Sequence, residues 1–199
     1  MSENVFHMCF GKVPHKEIVK AFDVSLILYA EHSFNVSTFT ARTITSSLSD
    51  IHGAITGAIA SLKGPLHGGA NEEVMHMMNK IKKPENALKW INNALAKKEV
   101  VMGFGHRVYK SGDSRVPTMR KYFAKVAKIK KDKKFEKIYD IIEKVMIDKK
   151  NIHPNVDYPT GPTYHLMGFD TDFFTPTFVI SRITGCLLYT SDAADDRMR

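Results

Sequence analysis

The chain has 199 residues, of which 43% are hydrophobic and 25% are charged, with a formal net charge of +8. This composition is typical of a globular protein, and two cysteines, Cys9 and Cys186, exclude a disulfide framework. There is no apolar run of membrane-spanning length and no signal-peptide pattern, so we expect a cytoplasmic protein with no membrane contact.

Helical periodicity dominates the chain, and the predicted fold class is all-α. Across residues 37–62, apolar positions recur every three or four residues, which predicts helix throughout the segment. These positions are Ile44, Leu48, Ile51, Ile55, Ala58 and Leu62. Asn71 is a suitable N-cap for the next helix, and a shorter helix is predicted from Glu85 to Lys97. Its predicted inward residues are Leu88, Ile91 and Leu95.

The segment from Arg120 to Lys150 is strongly basic, with twelve Lys or Arg against five Asp or Glu. One interpretation is a nucleic-acid-binding module, although interleaved aromatic residues and known binding motifs are lacking. The interpretation we favour is a pair of amphipathic helices with a solvated lysine face. The apolar stripes would be Phe123, Val126 and Ala127, then Phe135, Ile138, Ile141, Ile142 and Val145.

Three predicted loops each carry a histidine or carboxylate among glycines and prolines. They are GPLHGGANE (64–72), GFGHRVYKSGDSRVP (103–117) and NIHPNVDYPTGPTYH (151–165). His67 precedes a helix N-terminus, which disfavours its charged form, so a neutral hydrogen-bond donor is one interpretation. A capping or packing histidine is the other. Loops of this kind between rigid helices are where functional sites assemble.

Five segments resemble the citrate synthase family in the family's own order. They are LILYAEHSFNVSTFTAR, LKGPLHGGANE, VMGFGHRVYKSGDSR, HPNVDYPTG and FFTPTFVISRITG. The resemblance runs from about Glu3 to Gly185 and covers roughly the second half of a family member. It implies part of a large helical domain at 1–66 and 163–185, with a small domain inserted at 67–162. It also implies that this chain alone is an inactive fragment.

The resemblance implies condensation of acetyl-CoA with oxaloacetate to citrate and CoA, or, as the alternative, 2-methylcitrate formation from propionyl-CoA. Asp157 would be the base, His67 the neutral donor to the enolate oxygen, and His106 the donor to the oxaloacetate carbonyl. One methylene is discriminated by subtle pocket shape, so the choice of acyl group stays open. No cofactor or metal is expected, and family members are homodimers or larger homo-oligomers.

The resemblance also assigns binding residues. Oxaloacetate would be held by His32, His106, Arg115 and Arg182, residue types suited to two carboxylates. The CoA-binding loop would comprise Val101, Met102, Gly103, Phe104 and Gly105, with Lys110 as a candidate phosphate partner.

Each assigned residue also has a structural interpretation. His32 would pack at a helix end, Arg182 would pair with a core carboxylate, and Asp157 would be a turn residue beside a proline. A zinc site at His67 and His76 lacks cysteine partners and the usual ligand spacing. A helical protein with a purely structural role would show no oxaloacetate-dependent change in thermal stability.

Residues 186–199 depart from the family pattern. The stretch CLLYTSDAAD (186–195) matches the translation of a common sequencing-library transposase adapter. We therefore expect this tail to be non-native and exclude it from the fold prediction.

Overall fold

The computed structural model describes residues 1–32 and 35–185, and within these ranges the chain is helical and forms no strand. The all-α prediction is confirmed. The α-helices are α1 Ser2–Phe10, α2 Lys16–Ala30, α3 Val36–Ser46, α4 Ile51–Leu62, α5 Ala70–Ile81, α6 Pro84–Ala96, α7 Val116–Lys130, α8 Lys134–Lys150, α9 Asp157–Met167 and α10 at 174–185.

The segment 37–62 forms two helices, which corrects the prediction of a single continuous one. Leu48, in the connection, has a positive φ of 64°. Asp50 then accepts a hydrogen bond from the N–H of Gly53 at 2.8 Å and caps the start of α4. The two helices pack on each other through Ala41, Ala54 and Ala58. The apolar spacing persists across the turn because both helices use it for the same contact.

The N-cap of α5 is Gly69, so the prediction of Asn71 as the cap is wrong. The turn before α5 packs back on the end of α4, where a Cβ on Gly68 would lie 2.6 Å from the carbonyl oxygen of Leu62. This close approach lets the helix begin at Ala70. Asn71 lies inside the first turn and is fully buried.

α9 begins at Asp157, within the segment 151–165 that was predicted as a loop. Pro159 falls in the first turn, where the backbone N–H has no helical partner to lose. Residues 158–164 are all buried. At Gly161 a Cβ would lie 2.7 Å from the carbonyl oxygen of Asn71, so α9 crosses α5 at close range. Burial therefore stabilises a helix that intrinsic propensity disfavours.

α6 to α8 follow the predicted amphipathic pattern with one exception. Leu88 is 53% exposed, so its predicted inward position is wrong, and Ala87 and Ala94 join the buried Ile91 instead. Small alanines allow α6 to pack against α8. The predicted apolar residues of α7 and α8 are buried or partly buried, and most of the lysines between them are exposed. The solvated-face interpretation of the basic segment is confirmed.

The largest core cluster joins α2, α5, α7, α8 and α9. It contains Phe22, Met75, Phe123 and Tyr164, which come from all three ranges of the predicted domain division. That division stays a prediction. No helix in the described part of the chain is both long and apolar enough to cross a membrane.

Candidate active site

One cleft of about 660 Å³ is lined by residues from all three singled-out segments. Its lining includes every residue assigned a catalytic or oxaloacetate-binding role: His32, His67, His106, Arg115, Asp157 and Arg182. Residues 101–105, the predicted CoA-binding loop, line the same cleft. Lys110 is exposed and lies outside this lining, whereas Arg107 lies within it.

Ser37 holds the imidazole of His67 through one ring nitrogen. The backbone N–H of Ser37 donates to Nε2 at 3.3 Å, and its Oγ lies 2.9 Å from the same atom. Because Nε2 accepts the backbone hydrogen bond, the neutral ring carries its proton on Nδ1. Nδ1–H is therefore the donor that His67 can offer to a ligand.

Burial lowers the pKa of His67 to about 4, and the positive charges of Arg182 and His32 act in the same direction. The ring is neutral at pH 7. Shielding from solvent, and not the nearby helix N-terminus, is the largest cause of this shift in the folded protein. The ring of Phe178, 6.0 Å from that of His67 between centroids, contributes to this cover.

Asp157 opens α9, and its Oδ1 accepts a hydrogen bond from the hydroxyl of Tyr29 at 2.5 Å. Burial raises the pKa of Asp157 to about 6, although the Tyr29 hydrogen bond and the charge of Arg115 lower it. The carboxylate is ionised at pH 7 and is basic enough to take a proton from a bound substrate.

Two backbone N–H groups fix the ring of His106. Those of Val108 and Tyr109 donate to its Nδ1 at 3.0 Å and 3.2 Å. The neutral ring therefore carries its proton on Nε2. Burial lowers the pKa of His106, and the neighbouring His32 and Arg115 add to this shift. Like His67, His106 is a neutral donor with an assigned tautomer.

His32 stands beside His106, with their ring centroids 4.7 Å apart. Burial lowers the pKa of His32, and the charge of Arg115 lowers it further. Its Nε2 is buried and has no hydrogen-bond partner among the described residues. A buried polar atom without a protein partner can form a hydrogen bond with a bound ligand.

Two arginines bring positive charge to the cleft. Arg115 forms an ion pair with Asp113 at 2.8 Å. Arg182 is buried, donates through Nε to the carbonyl oxygen of Tyr29 at 2.7 Å, and lies over the ring of Phe178. Guanidinium groups held in this way suit a ligand with two carboxylates.

Asn155 fastens the 101–105 loop to the start of α9. Its Nδ2 donates to the carbonyl oxygen of Gly105 at 3.0 Å, and its backbone N–H donates to that of Gly103 at 2.9 Å. Its Oδ1 accepts from the N–H of Asp157 at 3.1 Å. Gly103 has a φ of 83°, and a Cβ there would lie 2.8 Å from Cβ of Tyr158. The loop backbone is therefore held close to Asp157.

Sequence reasoning missed five residues that shape the site: Tyr29, Ser37, Asp113, Asn155 and Phe178. Tyr, Ser and Phe in helical patterns are usually core residues, and no local signal distinguishes these three. For Asp113 a signal existed, because an Asp two residues before an assigned arginine is placed to pair with it.

The cleft therefore combines a carboxylate of raised pKa, neutral imidazole donors and two guanidinium groups. Such a set can remove a proton from a weak carbon acid while donors stabilise the oxygen that gains charge. Among residues 1–32 and 35–185, no three His, Cys, Asp or Glu side chains gather as a metal-binding group.

Comparison with known proteins places the chain in a family. A family model of the citrate synthase C-terminal domain matches residues 1–195. The chain is 53% identical to a 2-methylcitrate synthase of Mycobacterium tuberculosis over 193 residues, covering 97% of this chain and 49% of the relative. It is 52% identical to a citrate synthase of Mycolicibacterium smegmatis over 193 residues, covering 97% of this chain and 52% of the relative.

A solved structure gives the same result. It is the ternary complex of carboxymethyl coenzyme A and oxaloacetate with citrate synthase from Thermoplasma acidophilum, and it superposes with a TM-score of 0.92 at 35% identity. The match covers 100% of this chain and 54% of that one. The chain therefore belongs to the citrate synthase family, and it spans about half the length of the curated relatives it matches.

The family match extends into the segment that we expected to be foreign, since it ends at residue 195. Residues 186–199 lie outside the described part of the chain. Their non-native origin stays a prediction.

Proposed function

We propose that the protein containing this chain condenses acetyl-CoA with oxaloacetate to give citrate and CoA. The observation that carries the proposal is the shared cleft lined by Asp157, His67 and His106. The relative named citrate synthase supports it, as does the solved neighbour bound to a CoA analogue and oxaloacetate.

In the proposed first step, Asp157 removes a proton from the methyl carbon of the thioester. Nδ1–H of His67 donates to the thioester oxygen, which gains charge as the enolate forms. The raised pKa of Asp157 narrows the gap to that of the carbon acid, and the neutral His67 offers its Nδ1–H as the hydrogen-bond donor.

In the proposed second step, the enolate carbon attacks the ketone carbon of oxaloacetate. Nε2–H of His106 donates to the ketone oxygen and transfers its proton as the carbon–carbon bond forms. His32, Arg115 and Arg182 hold the two carboxylates of oxaloacetate. Water then hydrolyses the citryl thioester, releasing citrate and CoA. No cofactor or metal takes part in this scheme.

A second candidate is the formation of 2-methylcitrate from propionyl-CoA, favoured by the relative of that name at 53% identity. The two acyl groups differ by one methylene, which a pocket discriminates by roughly tenfold or more. We therefore propose comparing kcat/KM for both thioesters in chimaeras that carry the N-terminal half of either relative. If both chimaeras prefer the same thioester whichever N-terminal half they carry, this chain determines the preference, and that thioester is assigned as the substrate.

We propose that the 199-residue chain alone releases no thiol from acetyl-CoA and oxaloacetate, because its relatives are about twice as long. Fusion to the N-terminal half of the Mycolicibacterium smegmatis enzyme should produce activity that a thiol reagent detects. Thiol release by the isolated chain would contradict the fragment proposal.

Within that chimaera, Asp157→Asn should lower kcat by at least about a hundredfold, since the base is lost. Asp148→Asn, at an exposed position of α8, is the matched control and should leave kcat unchanged. An Asp157→Asn chimaera that keeps the kcat of the unmodified chimaera would contradict the proposed mechanism.

We also propose that the protein is a homo-oligomer that uses the α3–α4 hairpin as a contact. Phe39 and Ile51 on this hairpin are 53% and 51% exposed. Exposed apolar side chains grouped on one hairpin are typical of an interface.

A further inference from the structure

Asp113 lies in the connection before α7, and its side chain is completely shielded from solvent. Both carboxylate oxygens are occupied. Oδ1 accepts from the backbone N–H of Arg115 at 3.0 Å and from its Nε at 2.9 Å. Oδ2 accepts from Nη2 of Arg115 at 2.8 Å and from the backbone N–H of Val156 at 3.0 Å.

The first consequence concerns Arg115. A guanidinium that donates through Nε and Nη2 to one carboxylate is fixed in its plane, because two parallel hydrogen bonds leave no rotation. Arg115 lines the cleft in that fixed orientation. Asp113 itself is absent from the cleft lining and so acts from behind the arginine.

The second consequence concerns the base. Val156 immediately precedes Asp157, and its N–H is one of the groups at a helix start that have no partner within the helix. Asp113 supplies that partner. One buried carboxylate thus joins a cleft arginine to the residue before the base, across 43 positions of sequence.

We propose that Asp113 is a positioning residue that fixes Arg115 and Asp157 relative to each other, so that the bound oxaloacetate and the base keep one geometry. This inference rests on the proposed function. Asp113 contacts no substrate itself and acts through the two residues that it connects.

The charges around Asp157 give a second readout beside oxaloacetate affinity. The ionisable groups that act on its carboxyl are Tyr29 from α2, Asp113 and Arg115 beside α7, and Arg182 from α10. The negative charge of Asp113 raises the pKa of Asp157, and Arg115 lowers it. Loss of the Asp113 charge should therefore lower the pKa of Asp157.

The test uses the 199-residue chain with Asp113→Asn. We expect the dissociation constant for oxaloacetate, from calorimetry, to rise by about tenfold, because Arg115 loses its orienting partner. We expect the titration midpoint of the Asp157 carboxyl carbon, followed by NMR, to fall. Asp140→Asn is the matched control, since Asp140 pairs with Arg120 at 2.7 Å but is 60% exposed, and it should change neither value.

A folded Asp113→Asn chain with unchanged oxaloacetate affinity and an unchanged Asp157 midpoint would overturn the proposal. If that variant does not fold, Asp113→Glu keeps the charge but displaces the carboxylate by a methylene. Wild-type oxaloacetate affinity in Asp113→Glu would then overturn it. If the unmodified chain binds no oxaloacetate, the affinities are compared in the chimaera with the N-terminal half of the Mycolicibacterium smegmatis enzyme, and a chimaera that binds none contradicts the proposed function while the Asp157 midpoint still tests Asp113.

Discussion

Burial shifts the pKa of Asp157 upward and that of His67 downward, because in each residue it disfavours the charged form. The two shifts have opposite effects on charge at pH 7. Asp157 stays ionised and becomes a stronger base, while His67 stays neutral and keeps its donor proton. One physical cause therefore prepares both residues for the proposed proton transfer.

The first prediction concerns the pH dependence of the chimaera. Asp157 must be ionised to act as the proposed base, so kcat/KM should fall as pH drops through about 6. His67 titrates only near 4, so it stays neutral as Asp157 is protonated. Thiol-release rates from pH 4.5 to 8 test this. A kcat/KM that stays constant down to pH 4.5, as the ordinary carboxyl pKa of 3.8 would give, would contradict the prediction.

The second prediction concerns stability. The pKa of Asp157 is 3.8 ordinarily and about 6 in the folded chain, so the folded state binds the extra proton. The extra proton contributes to the free energy of unfolding in full below pH 3.8, and this contribution is lost as pH rises through about 6. Asp157→Asn should therefore stabilise the chain at pH 7.5 by on the order of 2 kcal/mol.

Urea denaturation at several pH values measures that gain, with the exposed Asp148→Asn as the control. The gain in unfolding free energy from Asp157→Asn should shrink as pH falls below 6 and should vanish below the ordinary carboxyl pKa of 3.8. A destabilised Asp157→Asn chain at pH 7.5 would show that the carboxylate stabilises the fold.

At the level of elements, α9 and the 101–105 loop together hold Asp157, the proposed base, in place. The loop runs beside residues 153–155, where Gly105 N–H donates to the carbonyl oxygen of His153 at 2.9 Å. α9 in turn packs against α5 and α7, which carry the core. Asp157 therefore lies at a helix start that the loop, α5 and α7 hold in position.

The third prediction tests the close approach of this loop. Gly103 and Gly11 both have positive φ, at 83° and 67°, so an alanine at either position costs about 1 kcal/mol. At Gly103 the new Cβ would also lie 2.8 Å from Tyr158 and from Val74, while at Gly11 nothing lies within 4 Å. Gly103→Ala should cost roughly 2 kcal/mol more than Gly11→Ala in urea denaturation. Equal costs would mean that the loop packs loosely.

At the level of the whole molecule, the α3–α4 hairpin carries several exposed apolar side chains. Its exposed apolar residues are Val36, Phe39, Leu48, Ile51 and Ile59. The hairpin packs mainly on itself and has its own small cluster of buried alanines. A surface of this kind is stabilised by a further contact.

The fourth prediction follows from the proposed oligomer. A double change, Phe39→Glu with Ile51→Glu, should lower the mass of the chain in light scattering to that of one copy, because charges oppose burial there. Leu88→Glu in α6 is the matched control, since Leu88 is equally exposed at 53% but lies apart from the hairpin. A wild-type chain that is already monomeric would contradict the proposed contact.

The sequence predicted the helical class and nearly all of the apolar stripes, since periodicity is a local property that each helix carries in its own residues. It erred where tertiary contacts override local preference. The turn at Leu48, the exposure of Leu88 and the helical start at Asp157 each depend on a neighbouring element. Asn71 is not the N-cap for the same reason, because the packing of Gly68 on α4 lets α5 begin at Ala70.

The sequence by itself determined which chemical groups this protein carries and in what order, because motifs such as GPLHGGANE and GFGHRVYK are contiguous. Only the tertiary structure decided the protonation states and tautomers of these groups. The pKa of Asp157 depends on burial and on Tyr29, 128 positions away, and the tautomer of His67 depends on Ser37, 30 positions away. Solvent exclusion and charge act through space, so these properties exist only once distant helices have packed together.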